Sequence, residues 1–341
     1  MLRMGRRPTM SDIAQRVGVS RVAVSYALNG RPGVSEDLRR QIQDVAAELG
    51  FAVHRPAVAM HGASSDAVGL TLRRTSAAFS IEVFRRQLIS GIQVELSARG
   101  FGLALQFVAN AEEEIAVHRR WHAERRVDGV VLCDLQRDDP RVPAVLALDL
   151  PAVVVGGTGE IPGLANLWTD EAASAGKVVG YLASLGHRRV TRVSGPPDML
   201  HTQARTDAIA ATTRGTAMTV TVVAADYTGD AAAQATRRIL SGKQRPTAIV
   251  YDSDVMALAG LGVAAEMGVR VPHEVSMLAW EDSPLCEVVH PALTVLRRNI
   301  ADYGARAARL LLECVDGRPP RSVRYTNPTL AIRDSTAPAA A

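Results

Sequence analysis

From residue 67 onward, short apolar runs alternate with longer amphipathic stretches, and this alternation limits the fold more than any other feature. Candidate strands are 67–72, 102–107, 129–133, 152–155, 190–193, 220–223, 247–251, 275–279 and 293–296. Between them lie stretches with helical spacing of apolar residues, such as 81–98, 172–185, 230–240, 255–267 and 300–315. Apolar strands separated by helices imply parallel sheets covered on both faces. A strand set of this length can form one doubly wound domain, or two similar lobes with a cleft between them.

The first sixty residues follow a different rule. The chain has 341 residues, with 39 Lys+Arg against 35 Asp+Glu. Residues 1–62 hold nine Arg and five acids, so the whole net charge of +4 sits there and the rest is neutral. A small basic segment on a large neutral body suggests a nucleic-acid-binding piece on a regulatory or catalytic chassis. No apolar run approaches the length of a membrane helix. The Arg-bearing start lacks the apolar core of a secretory signal, so a cytoplasmic protein is expected. Cys133, Cys286 and Cys314 are too scattered for a disulfide framework or a zinc pair.

Residues 9–29, TMSDIAQRVGVSRVAVSYALN, have the spacing of two short helices around a Gly turn. Thr9 can cap the first, with Asp12 three residues on in a capping-box arrangement. Ile13, Ala14 and Val17 form its apolar face. Gly18 permits the turn, and Ser20 can cap a second helix starting at Arg21. Val24, Ala27 and Leu28 point inward, leaving Arg21, Val22, Ser25, Tyr26 and Asn29 on the other face. A third helix capped by Ser35 repeats Leu38, Ile42, Val45 and Leu49. Three helices with one apolar seam form a helix-turn-helix head. The alternative, a bundle that only mediates oligomerisation, leaves the local charge without a cause.

With Val34-Ser35-Glu36 and Glu48-Leu49-Gly50-Phe51, this segment resembles the LacI/GalR family of bacterial transcription regulators. The resemblance continues through Val127-Asp128-Gly129-Val130-Val131, Leu185-Gly186-His187-Arg188-Arg189-Val190, Arg245-Pro246-Thr247-Ala248-Ile249 and Pro291-Ala292-Leu293-Thr294. It implies a head at 1–51, a hinge at 52–66, a two-lobed body at 67–334 like periplasmic sugar-binding proteins, and a flexible tail at 335–341. The chain would cross between lobes near Asn166, Leu296 and Tyr325.

The resemblance also implies roles. Arg21, Val22 and Tyr26 would read base edges in the major groove; Ser20, Ser25 and Asn29 would touch phosphates, with Thr9 counted among the DNA contacts. Arg21 can address a guanine edge bidentately. The family's hinge helix pushes a leucine into the minor groove, but Pro56 stands in its place here. Pro is tolerated only in a helix's first turn, so Val58 or Met60 would be the wedge. An unstructured tether at 61–65 is the alternative.

Ligands of open α/β sheets bind beyond the carboxyl ends of the strands. By position, Phe84, Arg205, Asp254, Trp280 and Glu281 are the candidate effector contacts. Aromatic faces with Arg and carboxylates suit a carbohydrate; surface ion pairs are the alternative for Arg205 and Asp254. Gly156-Gly157-Thr158-Gly159 stands where relatives often carry Asp. The glycines match neither a dinucleotide fingerprint nor a P-loop, and there is no nucleophile elbow. His118 and His122, four apart, lack a zincin Glu and are expected on an exposed basic helix. No cofactor or metal is therefore expected, and no enzyme. The expected protein is a homodimeric regulator, a repressor, that binds a near-palindromic double-stranded DNA operator under small-molecule control. Its dimer would form through the lobes, since the tail has no heptads. Control by a protein partner is the alternative; a sugar-binding transport component is remoter, given the head.

Overall fold

The structure is a computed structural model that describes residues 8–28, 30–51, 64–73 and 83–339. Two compact units divide it, residues 1–65 and 66–341.

The first unit has three helices: α1 (Met10–Val17), α2 (Arg21–Leu28) and α3 (Glu36–Glu48). Ile13, Ala14, Val24, Ala27, Ile42 and Ala46 form its core. Thr9 and Asp12 make the reciprocal capping box: Thr9 N and Oγ1 donate to Asp12 Oδ2 at 2.6 and 2.7 Å. Gly18 sits at φ +80°, where a Cβ would be strained, and turns the chain into α2. Ser20 Oγ then accepts from Ala23 N at 3.1 Å, and Ser35 Oγ from Leu38 N at 3.4 Å.

The second unit is two-lobed α/β. In chain order it runs β1 (Ala67–Arg73), α4 (Val83–Ala98), β2 (Gly102–Val108), α5 (Ala111–Ala123), β3 (Gly129–Cys133), α6 (Arg141–Ala147), β4 (Ala152–Gly157) and β5 (Ala165–Trp168). There follow α7 (Glu171–Ser184), β6 (Arg189–Ser194), α8 (Leu200–Thr213), β7 (Thr219–Ala224), α9 (Gly229–Ser241), β8 (Ala248–Tyr251) and α10 (Asp254–Glu266). The remainder is β9 (Ser276–Ala279), α11 (Pro284–Val288), β10 (Thr294–Arg297), α12 (Ile300–Val315), β11 (Ser322–Arg324) and β12 (Thr329–Ala331).

The strands form two six-stranded sheets, β11-β5-β4-β3-β1-β2 and β12-β10-β9-β8-β6-β7. All pairings are parallel except β10 with β12. The chain therefore passes between lobes after β5, after β10 and between β11 and β12, beside the three positions expected. Side-chain caps start the helices: Asn110, Asp170, Thr228, Ser253 and Asn299 each accept from a backbone N–H in the first turn. In the first lobe α12 lies against α4 so closely that a Cβ on Gly304 would stand 2.3 Å from Leu88 O. One on Gly91 would stand 1.8 Å from Ala301 O.

Two expectations are corrected here. Residues 335–339 are not a flexible tail. Ser335 is buried; its Oγ donates to Met277 O at 2.6 Å and accepts from Thr294 N at 2.8 Å. Tyr181 OH bonds to Thr336 Oγ1 at 2.7 Å, and Ala339 N to Leu185 O at 2.8 Å. Nor is His118 exposed. It shares the inner face of α5 with Val117 and Trp121, fully buried, and neither ring nitrogen has a hydrogen-bond partner. Burial, with Arg141 nearby, lowers its pKa to about 4, so the ring is neutral. His122, one turn on, is exposed as expected. None of the described helices is long and apolar enough to cross a membrane.

Candidate functional site

Each unit carries one candidate site. In the head, burial of Val24 and Ala27 turns Arg21, Val22 and Tyr26 outward; Val22 is 61% exposed. An exposed β-branched side chain on a polar helix face has no packing role in the monomer, as expected of a groove-facing position. Ser20 is exposed and Ser25 half-buried. Thr9 lies at the N-terminus of α1, its side chain engaged by Asp12. Asn29, the hinge with Pro56, and the wedge candidates Val58 and Met60 lie outside the described residues. Two positioning residues escaped sequence reasoning. Arg39 of α3 donates to Ala27 O at 3.1 Å and Arg31 O at 2.9 Å, tying down the C-terminal end of α2. The Arg31 guanidinium then lies 6.0 Å from the Tyr26 ring centroid, at the outer limit of a cation–π contact.

In the body, a cleft opens between the lobes beyond the carboxyl ends of the strands, enclosing ≈ 980 Å³ with its mouth. Leu70, Leu72, Phe84, Leu88, Val155 and Tyr303 give it an apolar floor on the first lobe, and Gly156, Gly157 and Thr158 leave that wall low. Of the five expected contacts, Phe84, Arg205 and Glu281 line it; Trp280 and Asp254 do not. Trp280 is turned into the second lobe's core, its ring centroid 5.3 Å from the Arg205 guanidinium. It backs the arginine rather than facing a ligand. Asp254 opens α10 beside the cleft-lining Ser253; its carboxylate is buried and Oδ2 has no hydrogen-bond partner.

Arg205 is not a surface ion pair. It is 4% exposed, donates from Nε to Glu171 Oε2 at 3.1 Å, and lies 3.7 Å from Asp252 Oδ2. Arg192 forks onto the same Asp252 carboxylate at 2.7 and 2.6 Å. Burial pushes the Asp252 pKa up, but the two guanidiniums and the Gly195 N–H outweigh it and hold the group ionised.

Four further cleft residues were not foreseen. Asp134 follows β3 at φ +53° and binds Arg85 at 2.7 Å. Tyr227 follows β7 at φ +67°, and its hydroxyl meets His201 Nε2 at 2.8 Å. Burial and Arg205 depress His201 to a pKa of about 4. Arg298, at the second crossing, donates to Thr169 Oγ1 at 3.1 Å and Glu281 Oε1 at 3.0 Å. Its guanidinium lies over Phe84 and Tyr303 at 5.7 and 5.8 Å. One signal could have found Asp134 and Tyr227: each follows the carboxyl end of a strand. Main-chain bonds also join the lobes, from Leu200 N to Leu135 O at 2.9 Å and from Arg137 N to Asp198 O at 3.2 Å.

A helix-turn-helix head joined to a two-lobed body with a polar-rimmed cleft defines a DNA-binding regulator with a sensing domain. Residues 9–53 match the bacterial regulatory proteins of the lacI family, and residues 179–336 match the periplasmic binding protein-like domain. The HTH-type transcriptional regulator CelR of Thermobifida fusca is 30% identical, with 97% of this chain and 98% of that protein covered. A LacI family regulator structure from Bifidobacterium animalis shares 35% identity at a TM-score of 0.75, covering 82% of this chain and 100% of the other. The structure of a CelR–cellobiose complex shares 28% identity at a TM-score of 0.73, covering 96% and 100%. The chain belongs to the LacI family of DNA-binding transcriptional regulators.

Proposed function

We propose that this regulator is a repressor that binds a near-palindromic operator as a homodimer and releases or gains it in response to a small carbohydrate. The observation that carries the carbohydrate reading is the cleft itself. An apolar floor with Phe84 and Tyr303 faces a rim of Arg205, His201, Tyr227 and Glu281, which offers both donors and acceptors to hydroxyls. A CelR structure, similar along nearly the whole chain, is a complex with cellobiose. The two-fold symmetry of a dimer would present two heads to two half-sites. Apolar side chains left exposed on the lobes, Val94 of α4 with Leu285 and Val288 of α11, support assembly through the body. In the head, Arg21 is the specificity contact and Val22 an apolar partner for a thymine methyl.

Selection of bound DNA from a random pool tests the head. The wild type should enrich one near-palindromic sequence, and Arg21→Ala should relax the preference at one position of each half-site by the ~1–3 kcal/mol of a bidentate pair. Unchanged base preference in Arg21→Ala would remove that assignment.

A further inference from the structure

The charged groups lining the cleft are Arg85, Arg205 and Arg298 against Asp134, Glu171 and Glu281. They pair one to one, at 2.7, 3.1 and 3.0 Å. Behind Arg205, the buried Arg192 is matched by Asp252 in the same way. The adjoining segment 74–82 brings one further Arg and one Glu, Arg74 and Glu82. The one titratable imidazole on the wall, His201, is held neutral at ordinary pH. Three arginines in a binding cleft would ordinarily announce an anion, but none of these three is without a carboxylate.

We infer that the cleft selects an uncharged saccharide and rejects phosphorylated, acidic and amino sugars. This rests on the carbohydrate reading and narrows it. Arginine has five N–H donors and carboxylates have about four acceptor positions, so each ion pair keeps unused capacity for ligand hydroxyls. A neutral polyol uses that capacity without separating a pair. A phosphate or carboxylate must draw a guanidinium toward itself, leaving a buried carboxylate such as Glu171 or Asp134 facing uncompensated negative charge. An ammonium sugar meets the mirror problem at Arg205 and Arg298. Exclusion therefore comes from the partners of the arginines, and those partners set specificity.

Titration calorimetry on the full chain tests this with glucose, maltose and cellobiose beside glucose 6-phosphate, glucuronate and glucosamine. The expected result is binding of at least one neutral sugar, with every charged sugar at least 100-fold weaker. In Glu171→Gln, Arg205 loses its nearest carboxylate, and the ratio for the two anionic sugars should narrow at least tenfold. Asp134→Asn makes the same change on the other lobe and stands in if Glu171→Gln does not fold. A charged sugar binding as tightly as the best neutral one, or ratios unmoved in a folded variant, overturns the inference while leaving the carbohydrate reading intact. No binding by any sugar, neutral or charged, overturns the carbohydrate reading and this inference with it.

Discussion

Arg205 and Glu171 meet at 3.1 Å, joining the middle of α8 to the first residue of α7, with the Trp280 ring 5.3 Å from the guanidinium. The contact locks the one long cation of the second lobe's cleft wall in place before any ligand arrives. Removing the arginine leaves Glu171 and Asp252 buried with less compensation. Arg205→Ala should therefore cost about 3–5 kcal/mol of stability as well as the effector response. Arg205→Lys keeps a charge near Glu171 but not the planar fork. It should melt closer to the wild type, still bind operator, and lose the response to sugar. Normal induction in Arg205→Lys would remove the residue from the effector site.

The lobes are also latched by main chain, and one latch can be cut without touching a charge. Leu200 is the first residue of α8, where proline is tolerated, and Met199 before it is extended at ψ 134°, as a pre-proline residue prefers. Leu200→Pro deletes the N–H that reaches Leu135 O across the cleft. At about 0.5–1.5 kcal/mol for a net hydrogen bond, effector affinity should fall roughly two- to tenfold. Hydrogen exchange at Arg137, the neighbouring latch, should quicken; unchanged exchange and affinity would show that this bond does not hold the closed state.

Close helix packing makes Gly304 a stability determinant. A methyl group there would press on Leu88 O from 2.3 Å, with backbone rather than a pliable side chain as the obstacle. Gly304→Ala gains helix propensity, about 1 kcal/mol, yet should destabilise by the ~1–3 kcal/mol of overpacking or more. Thermal melting reads the sign directly: a higher Tm would mean that α12 and α4 can separate freely.

His118 predicts a pH dependence of stability. Its folded pKa, near 4, lies below the ordinary value of 6.5, so the unfolded chain takes up the proton first as pH falls. Its contribution is complete above pH 6.5 and is lost as pH drops toward 4, at up to about 1.4 kcal/mol per unit. His201 adds to the same window. Asp252, held below the carboxylate range, adds its own loss only in more acidic solution. His118→Leu should flatten Tm between pH 6.5 and 4.5 relative to the wild type; an equal slope would place the proton uptake elsewhere.

The sequence carried most of the scaffold, because nine of the strands are apolar enough to stand out from their surroundings. It did not reveal β5, whose four residues are interrupted by the buried Asn166, or β11 and β12, which have three residues each. Phe84, Arg205 and Glu281 were placed at the cleft by their positions after strands and by family likeness. Arg298 was out of reach, since its partners Thr169, Glu281, Phe84 and Tyr303 come together only once the chain has crossed between lobes. The docked tail was hidden for a similar reason. Its Ala/Pro composition suggests a loose end, whereas Ser335 and the backbone of Ala339 supply the bonds that fix it.

The central claim is that sugar binding in the body changes DNA binding by the head, and the affinity for the selected operator with and without saccharide tests it most directly. For a coupling of at least 1.4 kcal/mol, a neutral sugar that binds the cleft should change the operator Kd at least tenfold in the wild type. The same sugar should change it less than twofold in Arg205→Lys. An operator Kd that is the same with the wild-type cleft full or empty would contradict the account.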